Sequence, residues 1–391
     1  MKDPILSNIW KLYILKSFRW FMLWAPIIVL FYQENGLSMR DIFLLQAIFS
    51  IILLVFDVPT GFLADRFGRK PIILLACIMG LFGFITYSFS YNFLGFLMAE
   101  VLLGISSSLI SGADSALIYD SLVQAGKEKQ YKKYEGRLSG LGYFSEAMAS
   151  VIGGGVALIS LRWTIYSQVG LELLTIPLAL SLIEPKRHSF RRVKAVKFAI
   201  KTVKYALHEH IEIKWLILYS AIIYAATLIT IWFVQPYLKM VGIPLFWFGI
   251  IWAIMKVSMA ACSWWAHRLE TYLGRRASLI SLLIGTVAGC VLAAVFQSVW
   301  GIVFLLLFYS VRGFSEPVFK DYINRLVSSD RRATVLSTRT MVSRLLYVAL
   351  GPFLGWIMDV YSLRLAFFVS GGISLFLGLI ALLYMYKHKT A

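Results

Sequence analysis

Charge is scarce in this sequence. Only 15% of its 391 residues are Asp, Glu, Lys or Arg, 59% are hydrophobic, and the mean hydropathy is +0.76. So apolar a composition at this length excludes an ordinary soluble domain. Acid is scarcer than base: 20 Asp and Glu face 38 Lys and Arg, a formal net charge of +18. Cysteine is nearly missing, and Cys77, Cys262 and Cys290 all lie inside apolar runs, so no disulfide framework is expected. The five histidines (His188, His208, His210, His267 and His388) fall between those runs, at their margins or at the C-terminus, without metal-ligand spacing. A Gly-rich nucleotide loop and a nucleophile elbow are also lacking. These absences argue against an enzyme and against any cofactor or metal. The first apolar run carries Lys16 and Arg19 and ends at no small-residue cleavage site, so no cleavable signal peptide is expected.

What the chain has is long apolar runs. They divide into twelve, at 11–32, 41–63, 71–90, 93–119, 137–159, 163–183, 213–236, 247–268, 277–296, 299–320, 333–357 and 364–386. Each is near the ~20 residues that cross a ~30 Å hydrocarbon layer, which predicts an all-α membrane protein of twelve transmembrane helices. Set inside the spans are six bases (Lys16, Arg19, Lys256, Arg312, Arg339, Arg344) and six acids (Asp57, Glu100, Asp114, Glu146, Glu172, Glu316). They cancel, so the positive surplus belongs to loops and termini. With the N-terminus inside, cytoplasmic segments hold 28 Lys or Arg and external ones four: Arg40, Arg162, Lys239 and Arg364. That asymmetry predicts two cytoplasmic termini. It also places the surplus against anionic lipid headgroups rather than a nucleic acid.

Between the second and third runs, residues 57–71 form a compact charged loop. Gly61 and Ala64 share a helix face with Asp57 and Asp65, which would let a second helix approach closely. Gly68 suits a tight turn, Pro71 suits the start of a helix, and Arg66, Arg69 and Lys70 mark the cytoplasmic side. The pattern Gly61-x-x-x-Asp65-x-x-Gly68-Arg69-Lys70 resembles the signature loop between helices 2 and 3 of the major facilitator superfamily. The resemblance implies two pseudo-symmetric six-helix bundles and transport by alternating access. It also implies that Arg69 pairs with an acid at the foot of helix 4, here Asp120. Asp65 would stabilise one access state at the N-terminus of helix 11.

Several spans are polar inside. In the first, Arg19 lies about two turns deep and should face protein, because a charge at mid-membrane costs ~2.5–3.5 kcal/mol or more. The fourth carries Glu100, Ser106, Ser107, Ser108, Ser111, Asp114 and Ser115, so it should line a cavity. The family's fourth helix does so too, often with Arg where Glu100 stands. The fifth has Glu146 and then Ala149-Ser150-Val151-Ile152-Gly153, an incomplete version of the Gly-Pro-x-x-Gly-Gly of related drug–proton antiporters. In the segment 184–214, Phe190, Val193, Val196, Ile200, Val203 and Leu207 run beside Lys194, Lys197, Lys201, Lys204 and His208. That spacing predicts an amphipathic basic linker on the inner leaflet over 184–212, joining bundles 1–183 and 213–391.

The second half repeats the first at an offset near 202. His267 to Arg276 is a degenerate copy of the signature loop, with His267 or Glu270 in place of Asp65 and four residues inserted before Gly274-Arg275-Arg276. Asp321 corresponds to Asp120, and Gly351-Pro352-Phe353-Leu354-Gly355 to Ala149–Gly153. Ser328-Ser329-Asp330 offers an N-cap for span eleven. Internal symmetry at half the chain length fits a secondary transporter.

The expected mechanism is two halves rocking about a central cavity lined by spans one, four, seven and ten. Its candidate residues are Arg19, Glu100, Asp114, Tyr224, Trp232, Gln235, Tyr309, Arg312 and Glu316, with Arg312 and Glu316 spaced i, i+4 to pair. Without a nucleotide motif the driving force should be an ion gradient, a proton above all, with Glu146, Asp114 and Glu316 as carriers. Otherwise the six acids are static partners of the six bases. The leading expectation is a drug-exporter-like member expelling small amphipathic compounds. The alternative is a proton-coupled importer of an anionic nutrient or metabolite, suggested by Arg19, Arg312 and Arg344. A sensor or lipid-handling protein without turnover is a third. Expected partners are a small-molecule substrate, protons and membrane lipids, for a monomer in a bacterial inner membrane.

Overall fold

The computed structural model describes residues 4–185, 202–328 and 331–387, the Val58 side chain excepted. Every regular element among them is helical. The first half holds α1 (Ser7–Arg19), α2 (Ile28–Glu34), α3 (Met39–Phe67), α4 (Arg69–Ser88), α5 (Phe93–Ile110), α6 (Ala113–Gln124), α7 (Tyr131–Ala157) and α8 (Leu161–Ser181). The second holds α9 (Ile211–Met240), α10 (Leu245–Val295), α11 (Ile302–Leu326), α12 (Arg332–Val360) and α13 (Leu363–Lys387). At about 1.5 Å per residue the 20 residues of α4 span about 30 Å, one hydrocarbon thickness.

The twelve spans form two six-helix halves, but helices and spans do not correspond one to one. Span one, expected as a single helix over 11–32, is broken between α1 and α2. Pro26 cannot donate to the carbonyl four residues back, and the chain crosses the gap through a short 3-10 turn, Ala25–Ile27. Span four breaks at Gly112, whose left-handed φ of 77° separates α5 from α6. Spans eight and nine instead run together as α10, kinked at Gly274. Among the described residues eight helices are long and apolar enough to cross a membrane by themselves. The broken first span and the more polar α7 and α8 do not reach that standard.

The repeat is visible in the backbone. Gly68 (φ 118°, ψ 159°) separates α3 from α4, and Gly274 (φ 76°, ψ 168°) makes the corresponding bend in α10. Both lie in the region glycine alone enters cheaply. Residues 202–204 are helical and Tyr205–Glu209 forms a π-turn. Residues 186–201, with most of the predicted amphipathic linker, lie outside the described residues, as do Ser329 and Asp330.

The chain packs as two compact units. The first comprises Met1–Leu37, Leu45–Ser189 and Pro244–Ala253. Here α4 lies against α5 and α8, and α1 against α7 and α8. Small residues make this approach possible: a Cβ on Gly83 would come 2.7 Å from Leu103, and one on Gly104 2.8 Å from Ile52. Among the described residues, apart from Gly61's own neighbours in the helix, no atom lies within 4 Å of a Cβ on Gly61. The second unit comprises Ser38–Leu44, Phe190–Ile243 and Ile254–Ala391. Its centre is α9, against which α11, α12 and α13 pack. Asp359, near the end of α12, accepts the backbone N–H groups of Met39 (2.8 Å) and Arg40 (2.7 Å) and so caps α3.

Candidate functional site

The break in span one ends α1 at Arg19 and aims its guanidinium into the first unit. Arg19 Nη1 meets Glu172 Oε2 at 3.3 Å, and Nη2 donates to Ser106 Oγ at 2.8 Å. Ser106 in turn donates to the Ala76 carbonyl at 2.6 Å. Helices α1, α4, α5 and α8 thus meet at one buried ion pair. A Cβ on Gly80 would stand 3.1 Å from Arg19, Glu172 and Ser106 alike. The sequence placed Arg19 facing protein but left its partner open; Glu172, 153 residues away, is that partner. One turn nearer the N-terminus of α1, Lys16 Nζ pairs with Asp114 Oδ2 at 3.1 Å.

Glu100 is treated differently. Only 5% exposed on α5, its Oε1 accepts Tyr32 Oη (2.6 Å, from α2) and Gln46 Nε2 (2.8 Å, from α3). Among the described residues no cation pairs with it. Phe31, Tyr32, Tyr87 and Phe96 enclose this end of α5 with ring centroids 5.2–6.3 Å apart. Glu146, another buried acid, sits midway along α7, where its carbonyl accepts Ser150 Oγ at 2.7 Å.

In the second unit the expected pairing of Arg312 with Glu316 does not form. Glu316 goes to Arg339 (2.8 Å) on α12 and to Lys320 (3.2 Å) one turn on. Arg339 also reaches Ser220 on α9 at 3.2 Å. A fully buried guanidinium needs an anion more than a half-buried one does, so Arg339 takes the carboxylate. Arg312 lies 4.4 Å over the Tyr224 ring, and its buried Nη1 has no hydrogen-bond partner among the described residues. Arg344 Nε on α12 is buried in the same condition. Tyr309 and Gln235 are buried and Trp232 is half-buried.

At the signature loop, Arg69 meets Asp65 at 2.6 Å and Asp120 at 3.6 Å. Sequence reasoning missed Glu184, whose two carboxylate oxygens accept the backbone N–H groups of Arg69 (2.9 Å) and Lys70 (2.7 Å). An acid just after a helix gives no local sign that it caps another helix. The copy has diverged: Arg275 pairs with Glu212 (2.7 Å), Glu270 accepts Tyr322 Oη (2.9 Å), and Asp321 turns to Arg325 (2.6 Å).

Residues 9–348 and 263–391 match the model of the Major Facilitator Superfamily. The chain belongs to the major facilitator superfamily. It is therefore an integral membrane protein of a transporter family. It is 22% identical over 376 residues to the tetracycline resistance protein, class H, of Pasteurella multocida, covering 92% of this chain and 90% of that one. It is 26% identical over 163 residues to the quinolone resistance protein NorA of Staphylococcus aureus (strain Mu50 / ATCC 700699). That match spans only 41% of each chain. Two crystal structures share the fold: the nucleoside transporter NupG (TM-score 0.78, 15% identity, 97% of this chain and 99% of that one) and a D-xylose-proton symporter (TM-score 0.72, 14% identity, 96% and 97%).

Proposed function

We propose that this superfamily member is a secondary active transporter that works by alternating access and uses a proton gradient to export small amphipathic organic compounds. The observation that carries this reading is Arg312: a guanidinium stacked on Tyr224, with one buried nitrogen unmatched. An intramembrane cation without an anion is costly unless it faces a wet cavity or a ligand. A cation backed by an aromatic ring suits a flat compound bearing acceptor groups. The names of the quinolone and tetracycline resistance relatives support export. In this reading the halves 1–183 and 213–391 exchange access, the linker 184–212 tethers them, and both termini lie in the cytoplasm of a bacterial cell. Of the proton carriers first considered, Asp114 and Glu316 are tied to Lys16 and Arg339. Glu146 remains a carrier candidate.

The test is flux in proteoliposomes under an imposed pH gradient, across a chemically broad library that includes quinolones and tetracyclines. Expulsion against the proton flow, abolished by an uncoupler, is expected. Flux unaffected by the uncoupler would sink proton coupling. A second reading, import of an organic anion, draws on Arg312 and Arg344 both lacking a carboxylate among the described residues. Accumulation of acids alone, with uptake rising as external pH falls, would favour it.

A further inference from the structure

We infer that Glu100 is a proton-binding group of this protein, with Oε2 as the atom that takes the proton, an inference that rests on the transport reading above. Three other acids within the spans have a cation in hand: the buried Asp114 has Lys16, the buried Glu172 has Arg19, and the more exposed Glu316 has Arg339. Adding a proton to any of them would leave a buried or partly buried base without its anion. Glu100 has only neutral donors, and both converge on Oε1, the Tyr32 hydroxyl at 2.6 Å and the Gln46 amide at 2.8 Å. Oε2 has no donor among the described residues. A proton there removes the buried charge while keeping both hydrogen bonds.

Among the described residues the surroundings offer no competing countercharge. On α2 stands Tyr32, on α3 Gln46, and on α4 Tyr87, whose ring lies 5.7 Å from that of Tyr32. Asp41, on the first turn of α3, is engaged with Ser38. Arg162, from α8, lies over Phe31 and Tyr91 and gives its guanidinium to the Ser88 and Ser90 carbonyls and to Asn35 Oδ1.

The position also links the proton to the rest of the unit. Ser106, which receives Arg19, lies six residues along α5 from Glu100, about 9 Å at the helical rise. Tyr32 and Arg19 lie on the two sides of the break in span one. Discontinuous helices are where transporters build their substrate and ion sites. When Glu100 loses its proton, its hold on Tyr32 and Gln46 changes, and α2 shifts against α1. Only O–H bonds form and break: the proton comes from water on one side and returns to water on the other.

The test is pH-difference infrared spectroscopy of the full chain reconstituted in lipid, in H2O and D2O. A titrating protonated-carboxyl C=O stretch is expected in the wild type and absent in Glu100→Gln. In Tyr32→Phe, which keeps the carboxyl and loses one donor, the same stretch should persist at a shifted frequency and titration midpoint. A band that survives unchanged in Glu100→Gln, or a wild type without one, overturns the assignment. So does full pH-gradient-driven flux in Glu100→Gln. A band assigned to Glu100 alongside no flux of any compound would instead defeat the transport reading and leave the proton site standing.

Discussion

Arg19 shows how much a single buried side chain organises. It holds Glu172 and Ser106 across three helices, and its removal leaves Glu172, 2% exposed, without a cation. Arg19→Ala should therefore destabilise the protein by about 3–5 kcal/mol. Thermal melting in detergent would read this as a large loss, and the apolar pair Arg19→Met with Glu172→Leu should recover most of it. Arg312 carries the opposite expectation. It holds no acid among the described residues, so Arg312→Ala should leave the melting temperature nearly unchanged while weakening binding of transported compounds several-fold, by about 1 kcal/mol or more for the lost cation–ligand contact. Equal losses in melting and binding would make Arg312 structural. That charges inside spans face protein was legible from the cost of exposing them to lipid. Their partners were not: the local i, i+4 spacing suggested Arg312 for Glu316, and the tertiary neighbour Arg339 took it.

At the scale of elements, glycines separate two physical cases. Gly274 bends α10 with φ 76°, so Gly274→Ala should cost about 1–2 kcal/mol from backbone strain alone, measurable as a lower melting temperature. Gly61 lies within helix α3 with open space around its Cβ, so Gly61→Ala should be neutral or stabilising by about 0.5–1 kcal/mol. A large destabilisation by Gly61→Ala would mean that a neighbour does approach that face. The two turn glycines, Gly68 and Gly274, were recognisable because charged loops between apolar runs call for a bend. The break at Trp20–Ile27 was hidden in residues as apolar as an unbroken span, and the polar residues around Gly112 pointed to a cavity lining rather than to a break. Hydropathy counts apolar length and is blind to whether the backbone stays helical along it.

At the scale of the whole molecule, Asp65 is the residue on which alternating access is to be judged. It pairs with Arg69, which also meets Asp120, while Glu184 caps the adjoining helix. Asp65→Asn keeps the shape of the side chain and removes its charge, and at 20% exposure its stability cost should stay within about 1 kcal/mol. Flux in proteoliposomes should nonetheless fall at least tenfold. Wild-type turnover in that variant would remove Asp65 from the gating machinery.

By itself the sequence determined that the chain is helical, that it is built from twelve membrane-length segments, and that its halves repeat. The physical reason is that in hydrocarbon every backbone polar group must be satisfied within its own segment, so apolar length translates directly into helix. The signature residues added the family. Only the tertiary structure decided which buried charges are neutralised and which are not. That choice depends on the rotation and crossing of helices whose partners lie far apart in the chain, and no local periodicity records it. Glu172 neutralises Arg19 while Glu100 keeps only a phenol and an amide because of where α5 and α8 sit around the break in span one.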